Sequence, residues 1–352
     1  MPSNIMIVEQ PDRALEPQFV QRGEQGLSRF FLGEEGERAR RFQDWIGNHS
    51  ANTVRTYRTQ WSNYFAWCDL AAVDPVPASP YQVRAWIDFR KCQANPVTGK
   101  PIAPNTISQG LAALKALHEI EGLQYTNDYP EIKNALGAIR RQSDHVQRQA
   151  RGLQLEHAYA IRAVAEESKR RARRKRATAA DRRRADRDLV DVAIVFLARD
   201  GLLRRSETAA LRWSDFEEQS DGSGRILIRK SKTDQEGKGQ VRFVSRATVE
   251  ALKQIRPKGA DPEASIFGLS SSTIGARVKR ACERAGLGED FSGHSCRRGM
   301  AQDLAAKSFN TAEIANAGGW ASEGMVVLYT RHEEAGRSAV ARFHEGLGPS
   351  ER

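Results

Sequence analysis

The sequence predicts a mainly α-helical protein of two domains: an all-helical one, then an α+β one with a small antiparallel sheet. Three observations predict this. Apolar residues recur at helical spacing in four or five short stretches over about 100 residues. A polar stretch without period, Arg141–Leu153, separates them from a second set of helices. Only two short segments of the chain alternate in the manner of strands.

Residues 1–41 mix Glu, Gly, Arg and Pro without a sustained apolar period, and read as a flexible tail with one short helix around Gln25–Leu32. The first domain is placed at 42–145. In it Val54, Tyr57, Trp61, Tyr64, Phe65 and Cys68 form one helical stripe, with Asn52 as the expected N-cap. Pro75, Pro77 and Pro80 interrupt the chain, and Pro80–Lys91 follows as a helix with Val83, Trp86, Ile87 and Arg90 in register. Pro104 opens a third helix through Ile107, Leu111, Leu114 and Leu117, and Tyr129–Gln142 is a fourth.

The second domain is placed at 146–352. Leu155–Glu167 is helical, and Leu189–Ala198 is an apolar, buried helix ending near Gly201. Gly224–Arg229 and Gln240–Val244 alternate as strands around a polar turn, Lys230–Gly239. Helices return at Ser245–Gln254, Ser272–Ala285, Arg297–Ala306, Asn310–Gly318 and Met325–Tyr329. A short amphipathic tail helix is expected over 334–345, with Ala335, Ala339, Val340 and Phe343 on one side.

The 352 residues include 55 Lys and Arg against 44 Asp and Glu, a net charge of +11. That balance suits a polyanionic partner, because cationic side chains displace counterions condensed on phosphates. The charge is uneven. Lys169–Arg187 holds eleven cations against Asp181 and Asp186, which leaves only +2 for the rest of the chain. This run reads as an insertion that either touches nucleic acid or extends as a solvated arm. No run of about 18 apolar residues is present, and the first residues lack a basic start followed by an apolar core, so neither a membrane span nor a signal peptide is expected. Cys68, Cys92, Cys282 and Cys296 have no paired spacing, which disfavours zinc and disulfides and fits a reducing cytoplasm.

The chemistry-bearing residues cluster in five boxes: Gly201-Leu202-Leu203-Arg204-Arg205-Ser206-Glu207, Arg229-Lys230-Ser231-Lys232-Thr233, Ser292-Gly293-His294-Ser295-Cys296-Arg297, Ala317-Gly318-Gly319-Trp320 and Leu328-Tyr329. Together they resemble the tyrosine site-specific recombinases, or phage-type integrases, especially the Cre-type members. In that family the order is Arg, Lys, His-x-x-Arg, His or Trp, and Tyr; here Arg204, Lys232, His294, Arg297, Trp320 and Tyr329 fill it in order. Arg205, Lys230 and Arg298 are the neighbours that compete for three of these places.

The resemblance implies a SAM-like core-binding first domain, a catalytic second domain and a clamp of the two around duplex DNA. It also implies breakage and rejoining of that DNA through a 3′-phosphotyrosine. The residue types suit this. Two guanidiniums, Arg204 and Arg297, can hold the non-bridging oxygens as negative charge gathers on them. Tyr329 can attack phosphorus. His294 can take the phenolic proton, and Lys232 can give one to the leaving 5′ oxygen. Trp320 offers an N–H and a packing surface, and Glu207, on the helical face of Arg204, would orient its neighbours.

One phosphodiester is exchanged for another, so neither ATP nor a metal is expected, and no phosphate-loop or two-metal acidic motif is present. Expected partners are duplex target sites with inverted half-sites, bound by a dimer per site and a homotetramer on two duplexes, in the cytoplasm of a prokaryote, phage or plasmid host. Family members dock the tail onto a neighbouring protomer. Arg55, Arg58, Arg84, Arg90, Lys91 and Lys115 are the candidate DNA contacts of the first domain. A DNA-binding regulator that does not use the catalytic residues, and a type IB topoisomerase, are the alternative readings.

Overall fold

A computed structural model describes residues 17–32, 37–95, 98–125, 127–143, 150–230, 239–335 and Val340. The chain divides into two compact units, Met1–Gln147 and Arg148–Arg352.

The first unit is helical: α1 (Pro17–Leu32), α2 (Glu37–Gly47), α3 (Ala51–Ala71), α4 (Pro80–Cys92), α5 (Pro104–Ile120) and α6 (Pro130–Gln142). Pro stands at the first turn of α4, α5 and α6, where its missing N–H costs no helical bond. The core is aromatic, with Trp61, Tyr64, Trp67 and Trp86 all buried and the Trp61 indole donating to the Ala113 carbonyl at 2.6 Å. Two expectations are corrected here. The N-cap of α3 is Ser50, whose Oγ accepts from the Thr53 amide at 3.2 Å, whereas Asn52 turns its Oδ1 to Arg55. And the segment expected to be a flexible tail with a short helix around Gln25–Leu32 contains the longer α1, which ends at that same Leu32 and sets Phe19, Leu27 and Phe31 in the aromatic core. Its glycines dilute the apolar period, yet they are what lets it dock: a Cβ on Gly23 would sit 2.0 Å from the Ser62 carbonyl oxygen of α3.

The second unit begins with an antiparallel helical pair, α7 (Leu155–Ala172) and α8 (Ala179–Asp200). There follow α9 (Arg205–Ala210), a single 3₁₀ turn at Trp213–Asp215, β1 (Phe216–Glu218), β2 (Gly224–Ile228), β3 (Gln240–Val244), α10 (Arg246–Ile255), α11 (Ser271–Arg284), α12 (Ser295–Ala306), α13 (Thr311–Gly318) and α14 (Gly324–Ala335). The sheet is antiparallel in the order β1-β2-β3, with Ile226 opposite both Phe216 and Arg242. β1 escaped the sequence reading because three residues are too few to show alternation. The basic run 169–187 is not an arm. It completes α7, turns, and forms the start of α8, which Thr178 and Asp181 cap reciprocally. The described residues include no helix long and apolar enough to cross a membrane. Beyond Ala335 only Val340 is described, so the expected tail helix 334–345 lies almost wholly outside the described residues.

Two features position the site. Asp200, ending α8, accepts from the Ser245 amide at 2.8 Å and the Thr248 hydroxyl at 2.6 Å, which ties α8 to the start of α10. Immediately after, Leu202 rather than Gly201 takes the left-handed conformation, at φ 46°. Gly201 is needed for space instead, since a Cβ there would lie 2.8 Å from Ile226 Cδ1.

Candidate active site

The site is assembled around the Leu202 carbonyl. A left-handed non-glycine residue costs about 1–2 kcal/mol. Here it turns that carbonyl toward two buried guanidiniums. Arg297 Nη1 donates to it, and Arg242 Nη1 donates to it at 3.1 Å and to the Gly201 carbonyl at 2.6 Å. Both arginines are nearly inaccessible, Arg297 at 1 % and Arg242 at 6 %. Arg297 Nη2 is buried and donates to nothing among the described residues. Burial first, then the neighbouring charges of Arg204 and Arg242, pull the Arg297 guanidinium down to about 9, against attraction from Glu207. The cluster thus has more cationic charge than its own acids balance.

Arg204 stands at the N-cap of α9, with Glu207 at its third position. The spacing lets one carboxylate do three things. Glu207 accepts from the Arg204 amide at 2.8 Å and from Arg204 Nη1 at 2.6 Å, and it lies 4.0 Å from Arg242. Buried at 5 %, it is the counter-charge of the cluster. Arg205, its sequence competitor, is exposed and lies against Gly293, where a Cβ would meet Arg205 Cδ at 2.2 Å.

His294 caps α12 and Arg297 is three residues on, so one helix turn points both toward the same place. His294 Nε2 lies 2.6 Å from the Tyr329 hydroxyl. Trp320 closes the other side, with the Arg297 guanidinium carbon 3.8 Å from its ring centroid and its ring 5.9 Å from that of Tyr329. This places Trp320 as a cation–π platform beneath Arg297. Gly318 and Gly319 make its approach possible. Gly319 ends α13 at φ 61°, and a Cβ on Gly318 would sit 1.9 Å from the Trp320 ring. Arg298, the competitor of Arg297, points away and donates to the Ala150 carbonyl at 2.8 Å.

Tyr329, on α14, is 7 % exposed. Burial raises its phenol above the ordinary value, while Arg297, Arg204 and Arg298 pull it back. The His294 imidazole is lowered to about 4 by burial and by Arg297, Arg204, Arg205 and Arg298. His294 sits at the rim with part of its surface open, and the guanidinium field adds to the effect of burial. At neutral pH the proton therefore rests on Tyr329, beside an imidazole free to accept it.

Of the seven expected site residues, Arg204, Glu207, His294, Arg297, Trp320 and Tyr329 converge. Lys232 lies outside the described residues, in the connection between β2 and β3. Arg242 was missed. The alternation of β3 gave no signal for it, since Val241 and Phe243 face outward and Arg242 faces inward opposite Ile226, the reverse of what solvation prefers. Among the DNA-contact candidates of the first unit, Arg55, Arg58, Arg84, Lys91 and Lys115 are exposed. Arg90 is not available for contact. It lies on the stripe of Val83, Trp86 and Ile87, is 3 % exposed, and donates to Gln93 Oε1 at 2.5 Å.

The sequence model of the phage integrase family matches residues 174–335, a span from the turn before α8 through α14 that holds the whole cluster. The chain is 26% identical over 300 residues to the integrase/recombinase xerD homolog of Selenomonas ruminantium, covering 79% of this chain and 81% of that one. It is 25% identical over 312 residues to the recombinase cre of Escherichia phage P1, covering 80% and 84%. Among solved structures, XerH site-specific recombinase bound to a palindromic difH substrate, a post-cleavage complex, has a TM-score of 0.59 at 15% identity, covering 98% of this chain and 93% of that one. The Tn1549 transposon integrase in complex with transposon right end DNA has a TM-score of 0.53 at 15% identity, covering 86% and 98%. These two likenesses carry the fold alone.

Proposed function

The chain belongs to the tyrosine recombinase, or phage integrase, family, and from that premise we propose how its own residues cut and rejoin DNA. It is a site-specific recombinase working through a tyrosine intermediate. Arg204 and Arg297 hold the non-bridging oxygens of the scissile phosphate, and the charge gathering there in the transition state strengthens both contacts. The Tyr329 oxygen attacks phosphorus as its proton passes to His294 Nε2. The P–O5′ bond breaks, Lys232 protonates the departing oxygen, and a 3′-phosphotyrosine remains. Attack by another strand's 5′ hydroxyl reverses the steps and releases the tyrosine, so no bond energy is lost and neither ATP nor metal is called for. Glu207 and Arg242 touch no substrate in this scheme; they hold Arg204 and the Leu202 carbonyl in place.

The single observation that carries the proposal is the convergence of Tyr329, His294 and a buried Arg297 whose Nη2 has no partner among the described residues. A buried guanidinium nitrogen without an acceptor is costly, and a phosphate oxygen satisfies it. XerH is named as bound to a palindromic substrate, and we infer inverted half-sites for this chain, with one protomer on each half and four at exchange. The test is a duplex carrying a site selected from random sequence for binding, nicked beside the cleavage point. Wild-type protein forms a covalent adduct, and Tyr329→Phe forms none while still binding. No adduct with wild type would turn the assignment to a regulator, and relaxation of supercoils without exchange between two sites would turn it to a topoisomerase.

A further inference from the structure

The basic tip of the α7–α8 pair takes no part in this chemistry, and nothing assigned so far uses it. Six cations there, Arg173, Arg174, Lys175, Arg176, Arg182 and Arg183, are exposed, and none has an ion pair or a side-chain hydrogen bond among the described residues. The acids within reach are already engaged. Glu167 is taken by Arg170 at 2.7 Å and Arg171 at 2.8 Å. Asp181 is folded back on the amide and hydroxyl of Thr178. Asp188 is buried, bonded to Ser168 at 2.7 Å and paired with Arg284 at 3.0 Å. Only Asp186 is left exposed among them.

Like charges crowded on adjacent turns repel, and a segment free to do so spreads them through solvent. This one is held. The Ser168–Asp188 bond joins α7 to α8, and α11 clamps the same region through Arg277, which reaches Asp191 at 2.5 Å and the Arg187 carbonyl at 2.6 Å. The cations are thus displayed at the tip of a braced helical pair, Arg173, Arg174, Lys175 and Arg176 in its turn and Arg182 and Arg183 at the start of α8, with their repulsion uncompensated. The half-buried carboxylate of Glu167 is lowered by its bond to Arg171 and by Arg170, and Arg174 adds to the same effect, as a concentrated positive field requires.

The tip is also remote from the cleavage centre. Arg204 follows the far end of α8, whose 22 residues make a rod of about 33 Å at 1.5 Å per residue. That is roughly nine or ten base pairs of B-form duplex at 3.4 Å each. We propose that the α7–α8 tip is a second, sequence-independent phosphate-binding surface that grips duplex DNA outside the stretch being cut. The proposal rests on the reading of the chain as an enzyme of duplex DNA. A polyphosphate backbone is the occupant that fits: it presents many negative charges at regular spacing, and its released counterions reward exposed cations that no single carboxylate has claimed.

The experiment compares full-length wild type with the quadruple variant R173S/R174S/K175S/R176S, which alters only exposed turn residues. Affinity for a random-sequence 60-base-pair duplex is followed between about 50 and 300 mM salt. Each lost phosphate contact lowers the magnitude of the slope of log affinity against log salt by about 0.9, so a fall of about 2–4 is expected. On a selected site, the hydroxyl-radical footprint should retreat at its outer edge, roughly nine or ten base pairs from the cleavage point. Adduct yield at saturating protein should not change. An unchanged slope with an unchanged footprint overturns the proposal. So does an unchanged slope with altered self-association in DNA-free sedimentation, which would make the tip a protein contact. Wild type with no salt-dependent binding would instead sink the DNA reading beneath it.

Discussion

At the C-terminal end of α8, Arg297 and Arg242 are buried and Arg204 is half-buried, and each is held by a backbone carbonyl or a carboxylate. At its N-terminal end they are exposed, and six cations have no ion pair among the described residues. The same side chain serves two physical purposes there. In the first setting water is excluded, the donors are fixed before substrate arrives, and each bond to a developing oxyanion is worth far more than in solvent. In the second setting, salt screens the charges within about 8–10 Å and their effect appears only through counterion release. Net charge counts both kinds alike, so it cannot distinguish chemistry from affinity; burial and partner identity can.

The sharpest way to break this comparison is at Arg297. Arg297→Met removes the bond to Leu202 and the unpartnered Nη2, and single-turnover adduct formation should fall by about 10²–10³ or more. The salt slope of binding should change by less than about one, the share of one phosphate contact. A fall in affinity as large as the fall in rate would mean that Arg297 is only an anchor. Glu207 comes next. Glu207→Gln leaves Arg204 and Arg242 facing each other without their shared counter-charge. Unfolding in urea should show a loss of about 1–3 kcal/mol, and adduct formation should slow by about tenfold, the worth of some 1.4 kcal/mol in the barrier. An unaltered midpoint and rate would mean that the carboxylate is not what holds these guanidiniums.

A third effect is smaller and lies in the pH profile. An ordinary histidine base loses activity as pH falls through about 6.5, because its protonated form cannot accept. In this site burial and the guanidinium field lower His294 to about 4. The kcat/KM of cleavage, which reports the free enzyme, should therefore stay level from pH 8 down to pH 6 and decline only toward about 4. A break near 6.5 would show that the imidazole does not feel the arginines.

Much of this contrast was legible in the residues themselves. His294 and Arg297 are three apart, and a helix start converts that interval into a shared direction. Tyr329 and Trp320 stood out only by their order after these boxes, since neither has a local signature. What stayed hidden depended on tertiary packing. Arg242 looked like one more strand cation, and only the pairing of β3 with Ile226 turns it inward. Arg90 looked like a DNA contact because it is charged, although its own spacing from Val83, Trp86 and Ile87 already put it on the buried stripe. Only the second half of α1, around Gln25–Leu32, was legible, because Gly23 and Gly26 blur its period, and their value appears only when Ser62 and Phe65 of α3 come against them. The basic run stayed open between a nucleic-acid contact and a solvated arm because its cations mask the capping pair Thr178–Asp181 that starts α8.

The finest test sets a single exposed cation against the buried ones. Arg174 lies in the turn between α7 and α8, exposed and without an ion pair among the described residues. Arg174→Ser removes no hydrogen bond and opens no cavity, so unfolding free energy should stay within about 0.5 kcal/mol. If the turn lies on duplex, the salt slope should fall by at most about 0.9, one phosphate contact, and the adduct rate at saturating protein should be unchanged. The rate is the telling half of that pair. A charge about 30 Å from the cleavage centre, at roughly three Debye lengths in ordinary buffer, has no electrostatic route to Tyr329. A slower adduct rate would therefore show that the two ends of α8 are mechanically coupled, and the division of labour between buried and exposed arginines would fail.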